Sequence, residues 1–274
     1  MSGRATIHDG IQAHNERSAA VWSVGGRDYD QISRGIADAI EHGVVRLNPQ
    51  PGERILDLAT GTGWASRAIA RRGATVISVD IAAELLVAAR ARAEAEGLPI
   101  QYRLGDAESL PFETGEFDAV VSTFGIMFAN RPEAAAEELA RVCRKGGRIA
   151  LTTWAPDGIV FKMFQAMKRY TPPPSPPSSP PFDWGRTGRI QQLFEPTFSL
   201  RFERGISYYR EPSGEAAWNS FSNGHGPTRS VAASLAPAQR STFRGDFVAF
   251  HDGFRTELGI CVPREYVLTV GVRL

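Results

Sequence analysis

A chain of 274 residues, 42% hydrophobic and 22% charged, has the balance of a globular domain with enough apolar mass for a sizeable core. Its net charge of +1 argues against the basic face that a nucleic-acid partner demands. The first 20 residues lack the apolar core of a secretory signal, no apolar run approaches the roughly 20 residues of a membrane span, and Cys143 and Cys261 form neither a metal-like pair nor a disulfide scaffold, so a cytoplasmic protein with reduced thiols, no metal site and no membrane partner is expected.

In chain order, 34–47 is predicted as a helix and "RILDLA" (54–59) as a strand, apolar almost throughout, as a parallel sheet covered on both faces requires. Residues 63–73 form a helix closed by Gly73, "TVISVD" (75–80) the next strand, and 82–97 an alanine-rich helix ended by Gly97. Strands follow at 100–106 and 117–125, then a helix at 131–147 with Pro132 in its first turn, then a fifth strand at 148–154. Strands alternating with helices in this way define a doubly wound parallel sheet. Beyond it the pattern changes. A helix at 158–170 carries Val160, Met163, Phe164 and Met167 on one face, and the proline-rich 171–181 is an exposed connector. A short helix in "RTGRIQQLF", a strand at 198–209, helices at 213–226 and 237–254 and a strand at 265–274 complete the chain. In the 237–254 helix, Phe243, Phe247, Phe250 and Phe254 recur at helical spacing.

"ILDLATGTGWAS" (55–66) ends a strand in a glycine-rich turn, which asks for a ligand. A phosphate-binding loop is excluded, because Trp64 and Ala65 follow Gly63 where Lys and Ser or Thr are required. A dinucleotide fingerprint is weakened by Ser66 at the third glycine position. Asp57 would repel a pyrophosphate but suits a ligand carrying an ammonium and a sulfonium. Asp80 ends the second strand, where its carboxylate can accept from both hydroxyls of a ribose. Asp106, in "GDAESLPF" (105–112), ends the third, in reach of an adenine amine.

Together "ILDLATGTG", "VISVDIA", "GDAESLPFETGEFDAVVSTFGIMF" and "RVCRKGGRIALTTW" resemble the class I S-adenosylmethionine (SAM)-dependent methyltransferases, closest to the C-methyltransferases of ubiquinone and menaquinone biosynthesis and their small-molecule relatives. The likeness covers roughly 45–155, and Ala59 stands where many members have the first glycine. It implies a Rossmann-like, seven-stranded mixed sheet whose last strand (265–274) runs antiparallel, with a helical cap. The whole of 1–274 is then one domain, its core at 45–157, 198–209 and 261–274 and its cap at 1–44, 158–197 and 210–260. It implies SAM as cofactor and S-adenosylhomocysteine (SAH) as product. By its motifs, Ala59, Gly61, Thr62 and Gly63 shape the methionine site, Asp80 holds the ribose with Ile81 on the adenine, and Asp106 and Ala107 take the adenine edge. Thr123 and Phe124 approach the transferred methyl, and Tyr29 lies near the cofactor carboxylate. Ile126, Met127 and Phe128 replace the longer charged continuation of the quinone enzymes, which points away from a quinone-type acceptor.

The reading is a methyltransferase acting on a small, fairly apolar molecule at carbon or oxygen. An NAD(P)-dependent oxidoreductase and a SAM- or SAH-binding protein without methyl transfer stay open beside it. No catalytic residue is assigned. His14, His225 and His251 are candidates for a base, with His225 presented by a flexible loop between Gly224 and Gly226. The cap is expected to close over the strand ends and line the acceptor pocket with Phe161, Phe164, Trp184, Phe194, Trp218, Phe221 and Phe247, with 171–181 bounding a lid.

Overall fold

The computed structural model describes residues 10–171 and 179–274. Five strands build the centre: β1 (Arg54–Leu58), β2 (Thr75–Asp80), β3 (Gln101–Leu104), β4 (Phe117–Thr123) and β5 (Cys143–Trp154). Two long strands, β6 (Phe198–Glu211) and β8 (Gly259–Arg273), with the two-residue β7 (Arg255–Thr256), complete an eight-stranded sheet of order β3-β2-β1-β4-β5-β8-β6. The first five strands pair in parallel, whereas β8 runs antiparallel to both β5 and β6. The order reverses between β1 and β4, and the carboxyl ends of open α/β sheets hold ligands at such a switch point.

The helices are α1 (Glu16–Ser23), α2 (Tyr29–Arg34), α3 (Ala37–Leu47), α4 (Trp64–Ala70), α5 (Ala83–Ala95), α6 (Pro132–Val142), α7 (Ile159–Met167), α8 (Thr187–Phe194), α9 (Gly214–Gly224), α10 (Gly226–Ser234) and α11 (Pro237–Asp252). Helices of the doubly wound part bury their apolar stripes on the sheet: Ala39, Ile40, Val44 and Leu47 of α3, and Ala135, Ala136, Leu139 and Val142 of α6, sit in one core with Ile55, Leu56, Ile77 and Val120. A second core lies in the cap, where Trp218 and Phe221 of α9 and Phe243 and Phe247 of α11 pack with Met167, Tyr209 and Val262.

Some boundaries differ from the expected ones for identifiable reasons. The helix expected to run to 147 stops at Val142, and β5 starts at once. The strand pairs Phe117 with Cys143, then shifts register, so Arg144–Gly147 form a bulge with Gly146 at φ 71°. The helix expected over 213–226 breaks at His225 into α9 and α10, because Pro227 has no N–H to donate to the Asn223 carbonyl and its ring would clash with that carbonyl in a continuous helix. α1 and α2 were not anticipated. Most of the connector expected at 171–181 lies outside the described residues, and so does the start of the 1–44 cap segment.

Candidate active site

A cleft of about 950 Å³, open mouth included, lies over the carboxyl ends of β1 to β4. Nine of the twelve residues expected to hold the cofactor line it. Ala59 and Gly61 come from the turn after β1, Asp80 and Ile81 from the end of β2, and Asp106 and Ala107 from the turn after β3. Thr123 and Phe124 end β4, and Tyr29 opens α2.

The turn after β1 is held open by backbone that most side chains avoid. Gly61 and Gly63 take φ of 57° and 78°, and Ala59 takes 56° despite its Cβ. A Cβ on Gly61 would stand 3.4 Å from the Tyr29 ring, so the ligand-side face of the turn is bare backbone. Asp80 braces it. One carboxylate oxygen accepts from the Gly61 N–H at 2.7 Å and the other from the Ala82 N–H at 2.8 Å. Burial, with Asp57 adding like charge, raises the Asp80 pKa to about 6. Burial and the Asp80 charge also raise that of the Tyr29 phenol.

Asp57, Thr62 and Gly63 lie beneath the cleft rather than in its wall. Asp57 is fully buried and accepts from the Thr60 and Ser66 hydroxyls, which ties β1 to the turn and to the start of α4. Its second oxygen has no partner among the described residues, and burial raises its pKa. Thr62 donates to the Ser33 hydroxyl at 3.3 Å, and Gly63 caps α4 where a Cβ would stand 2.7 Å from the Tyr102 hydroxyl. These three shape the site from below.

Asp106 is engaged in a way its sequence neighbours do not announce. It accepts from the Gln12 N–H at 3.0 Å and the Asn15 amide at 2.8 Å on one oxygen, and from the Glu108 N–H at 3.0 Å on the other. Glu108 in turn meets His14 at 2.6 Å and the Arg131 N–H at 2.9 Å, and Asn130 donates to Asn15 at 2.6 Å. The segment from Gln12 to Ser18 thus closes the cleft at the turn after β3. Asn15, Trp22, Trp64, Glu108 and Phe128 also line it and were not foreseen. Their contacts span about ninety positions of sequence, so no local pattern marks them.

A second cavity of about 690 Å³ adjoins the first, and Trp22, Tyr29, Ile36, Phe124 and Phe128 belong to both walls. Phe124, at φ 59°, stacks on Trp154 with ring centroids 3.9 Å apart. The rest of the wall is mostly apolar: Ile159, Met163 and Phe164 of α7, Phe221 of α9 and Phe250 of α11, with Tyr209, His225, His251 and Arg264 as its polar members. Phe164 and Phe221 sit in this wall as expected. The other expected lining residues do not, since Trp184 and Phe194 are buried in the main core, Phe161 packs against it, and Trp218 and Phe247 fill the cap core.

His225 is not on a flexible loop. It caps α10, accepting from the Thr228 N–H, and its flanking glycines serve close packing: a Cβ on Gly224 would stand 2.5 Å from the Asp28 carbonyl, and one on Gly226 2.3 Å from the Val21 carbonyl. Burial lowers its pKa to about 4, so it is neutral near pH 7. His251 is also buried, with a lowered pKa, and stacks on Phe247. Its Nδ1 lies 2.8 Å from the Phe247 carbonyl, which can only accept, so the proton is on Nδ1 and Nε2 keeps its lone pair. His14 lies at the turn after β3 instead, on Glu108.

Comparison with known proteins agrees with this geometry. Residues 56–151 match the family described as "Methyltransferase domain". An uncharacterized protein of Mycobacterium tuberculosis is 37% identical over 252 residues, 90% of this chain and 87% of that one. The demethylmenaquinone methyltransferase of Thermus thermophilus is 40% identical over 119 residues, 41% of this chain and 54% of that enzyme. Among solved structures, the phosphoethanolamine N-methyltransferase 2 of Haemonchus contortus, in complex with phosphomonomethylethanolamine and SAH, shares the fold. Its TM-score is 0.55 at 17% identity, over 86% of this chain and 52% of that one. With the domain match lying across β1 to β5 and a relative aligned along nearly its whole length, the chain belongs to the class I SAM-dependent methyltransferases.

Proposed function

We propose that the protein binds SAM in the cleft over β1 to β4 and transfers its methyl group to a carbon or oxygen of a small, mainly apolar molecule held in the second cavity. The observation that carries this is the shared wall: one cavity with carboxylates at its strand ends meets one lined by aromatic and aliphatic side chains, and Phe124 stands between them. The first cavity suits the nucleoside. Its turn presents bare backbone at Gly61, and Asp80 in its wall places negative charge where a sulfonium is favoured and a pyrophosphate is not.

SAM, when bound, supplies an electrophilic methyl on a sulfonium. Asp80 accepts from the ribose hydroxyls, and Asp106 and Ala107 face the adenine edge. Tyr29, Trp22 and Phe124 exclude water from the junction and fix the acceptor against it. Alignment of this kind supplies roughly 7–11 kcal/mol of a barrier.

A thermal-shift series with SAM, SAH, NAD and NADP tests the cofactor, and turnover of methyl-labelled SAM on an extract of the source organism tests transfer. SAH at a hundredfold excess over its dissociation constant should stabilise the fold by about 2.7 kcal/mol. Stabilisation by NAD without any by SAH would overturn the reading. SAH binding with no label transferred would leave a SAM-binding protein without transferase activity.

A further inference from the structure

Among the described residues, Arg264 is the one arginine or lysine in the wall of the second cavity, and it is 7% exposed. A buried guanidinium ordinarily meets a carboxylate, because an uncompensated buried charge is costly. Arg67, the comparably buried arginine beneath the cleft, does so, meeting Glu96 at 3.0 Å. Arg264 forms no ion pair among the described residues. Nη2 donates to the Gly35 carbonyl, and Nε is buried with no acceptor. The rings of Tyr209 and Trp154 lie 4.8 and 5.5 Å from the guanidinium carbon, which offsets part of the charge but accepts none of its protons in line.

The acids nearest in the fold are committed elsewhere. Asp38 accepts from the Ala39 N–H and the Ser207 hydroxyl, Glu211 from Tyr209 and Ser220, and Glu265 from the Ile159 N–H. Burial lowers the Arg264 pKa to about 10, so it stays charged near pH 7. The histidines on the same wall are neutral there and supply no negative charge.

We infer that Arg264 binds a carboxylate of the methyl acceptor, so that the acceptor is an apolar carboxylic acid. This rests on the reading that the second cavity is the acceptor site. A planar guanidinium takes a carboxylate through paired N–H donors, which a neutral oxygen cannot match. The position sets the orientation. Trp154 neighbours both Arg264 and Phe124, and Arg264, unlike Phe124, does not line the first cleft. The anion therefore anchors the end of the molecule away from the transferred methyl, and the apolar body spans the distance between. The carboxylate is the handle and not the atom methylated.

The test is calorimetry on SAH-loaded protein with 2-naphthoate, 4-phenylbutanoate and octanoate, each beside its primary amide. At least one acid should bind ten times or more tighter than its amide. Arg264→Met should erase that preference while SAH affinity stays within twofold, and Arg264→Lys should keep part of it. Equal binding of acid and amide, no binding of any acid to SAH-loaded wild type, or an undiminished preference in Arg264→Met would overturn the proposal. The wild-type comparison stands even if a variant folds poorly. The SAH titration run first separates the two levels: if SAH does not bind, the cofactor reading fails and this proposal with it.

Discussion

Asp80 has two duties that pull in opposite directions. Unliganded, its carboxylate is buried beside Asp57 and titrates near 6, above its ordinary value of 3.8. The folded state then holds more protons than the unfolded chain between about pH 4 and 6. The stability this contributes is full in acid and is lost as pH rises through 6. At about 1.4 kcal/mol per pKa unit, it amounts to about 3 kcal/mol. Asp80→Asn cannot ionise, so its melting temperature should gain on wild type between pH 4 and 7.5; a gap that does not change with pH would contradict this. The ribose needs the ionised form, so SAH affinity of the wild type should fall below pH 6, and Asp80→Ala should weaken it at least tenfold at pH 7.5 by calorimetry. Ala59 is a milder case. Its left-handed φ of 56° costs an alanine roughly 1–2 kcal/mol, part of which a glycine returns through its freer unfolded chain. Ala59→Gly should raise stability by about 0.5–1 kcal/mol in urea melts. Its Cβ also explains the neighbouring glycine, since a Cβ on Gly125 would stand 2.3 Å from it.

At the scale of elements, the central strands were legible in the sequence because parallel strands buried on both faces must be apolar nearly throughout, as β1, β2 and β4 are, and the first three carry an acid at or just past their ends, Asp57, Asp80 and Asp106. Asp80, Asp106 and the Gly61 turn were legible for the same reason. The cap was not. Trp184, Phe194, Trp218 and Phe247 read as pocket aromatics, yet the first two fill the main core and the last two the separate core that the cap needs, because large aromatics fill cores first. Composition cannot separate a residue facing a cavity from one facing a core. The α9–α10 junction was misread because glycine beside a histidine signals mobility and close approach equally well. Here it is close approach: α9 and α10 meet the Val21–Asp28 backbone through Gly224 and Gly226. Gly226→Ala should destabilise by about 1–3 kcal/mol in chemical unfolding, as overpacking does. Because His225 lines the second cavity, acceptor binding should suffer more than SAH binding.

For the whole molecule, the sheet divides the labour. Its parallel half carries the cofactor cleft, and the long β6–β8 pair carries Tyr209, Val262 and Arg264 into the wall of the second cavity. No helix among the described residues is long and apolar enough to cross a membrane. Most of what joins the two cavities comes from the first forty positions, whose partners lie far along the chain, and this is why the junction was the least readable part. The clasp of Gln12, His14 and Asn15 on Asp106 and Glu108 has a kinetic reading as well. A nucleoside bound behind it would leave only as the clasp opens, which would tie its residence time to these hydrogen bonds. Asn15→Ala combined with His14→Ala should shorten the residence time of SAH at least tenfold in stopped-flow displacement and leave its association rate much less altered. Where product departure limits turnover, the double variant should run faster than the wild type, at the cost of needing more SAM to stay occupied.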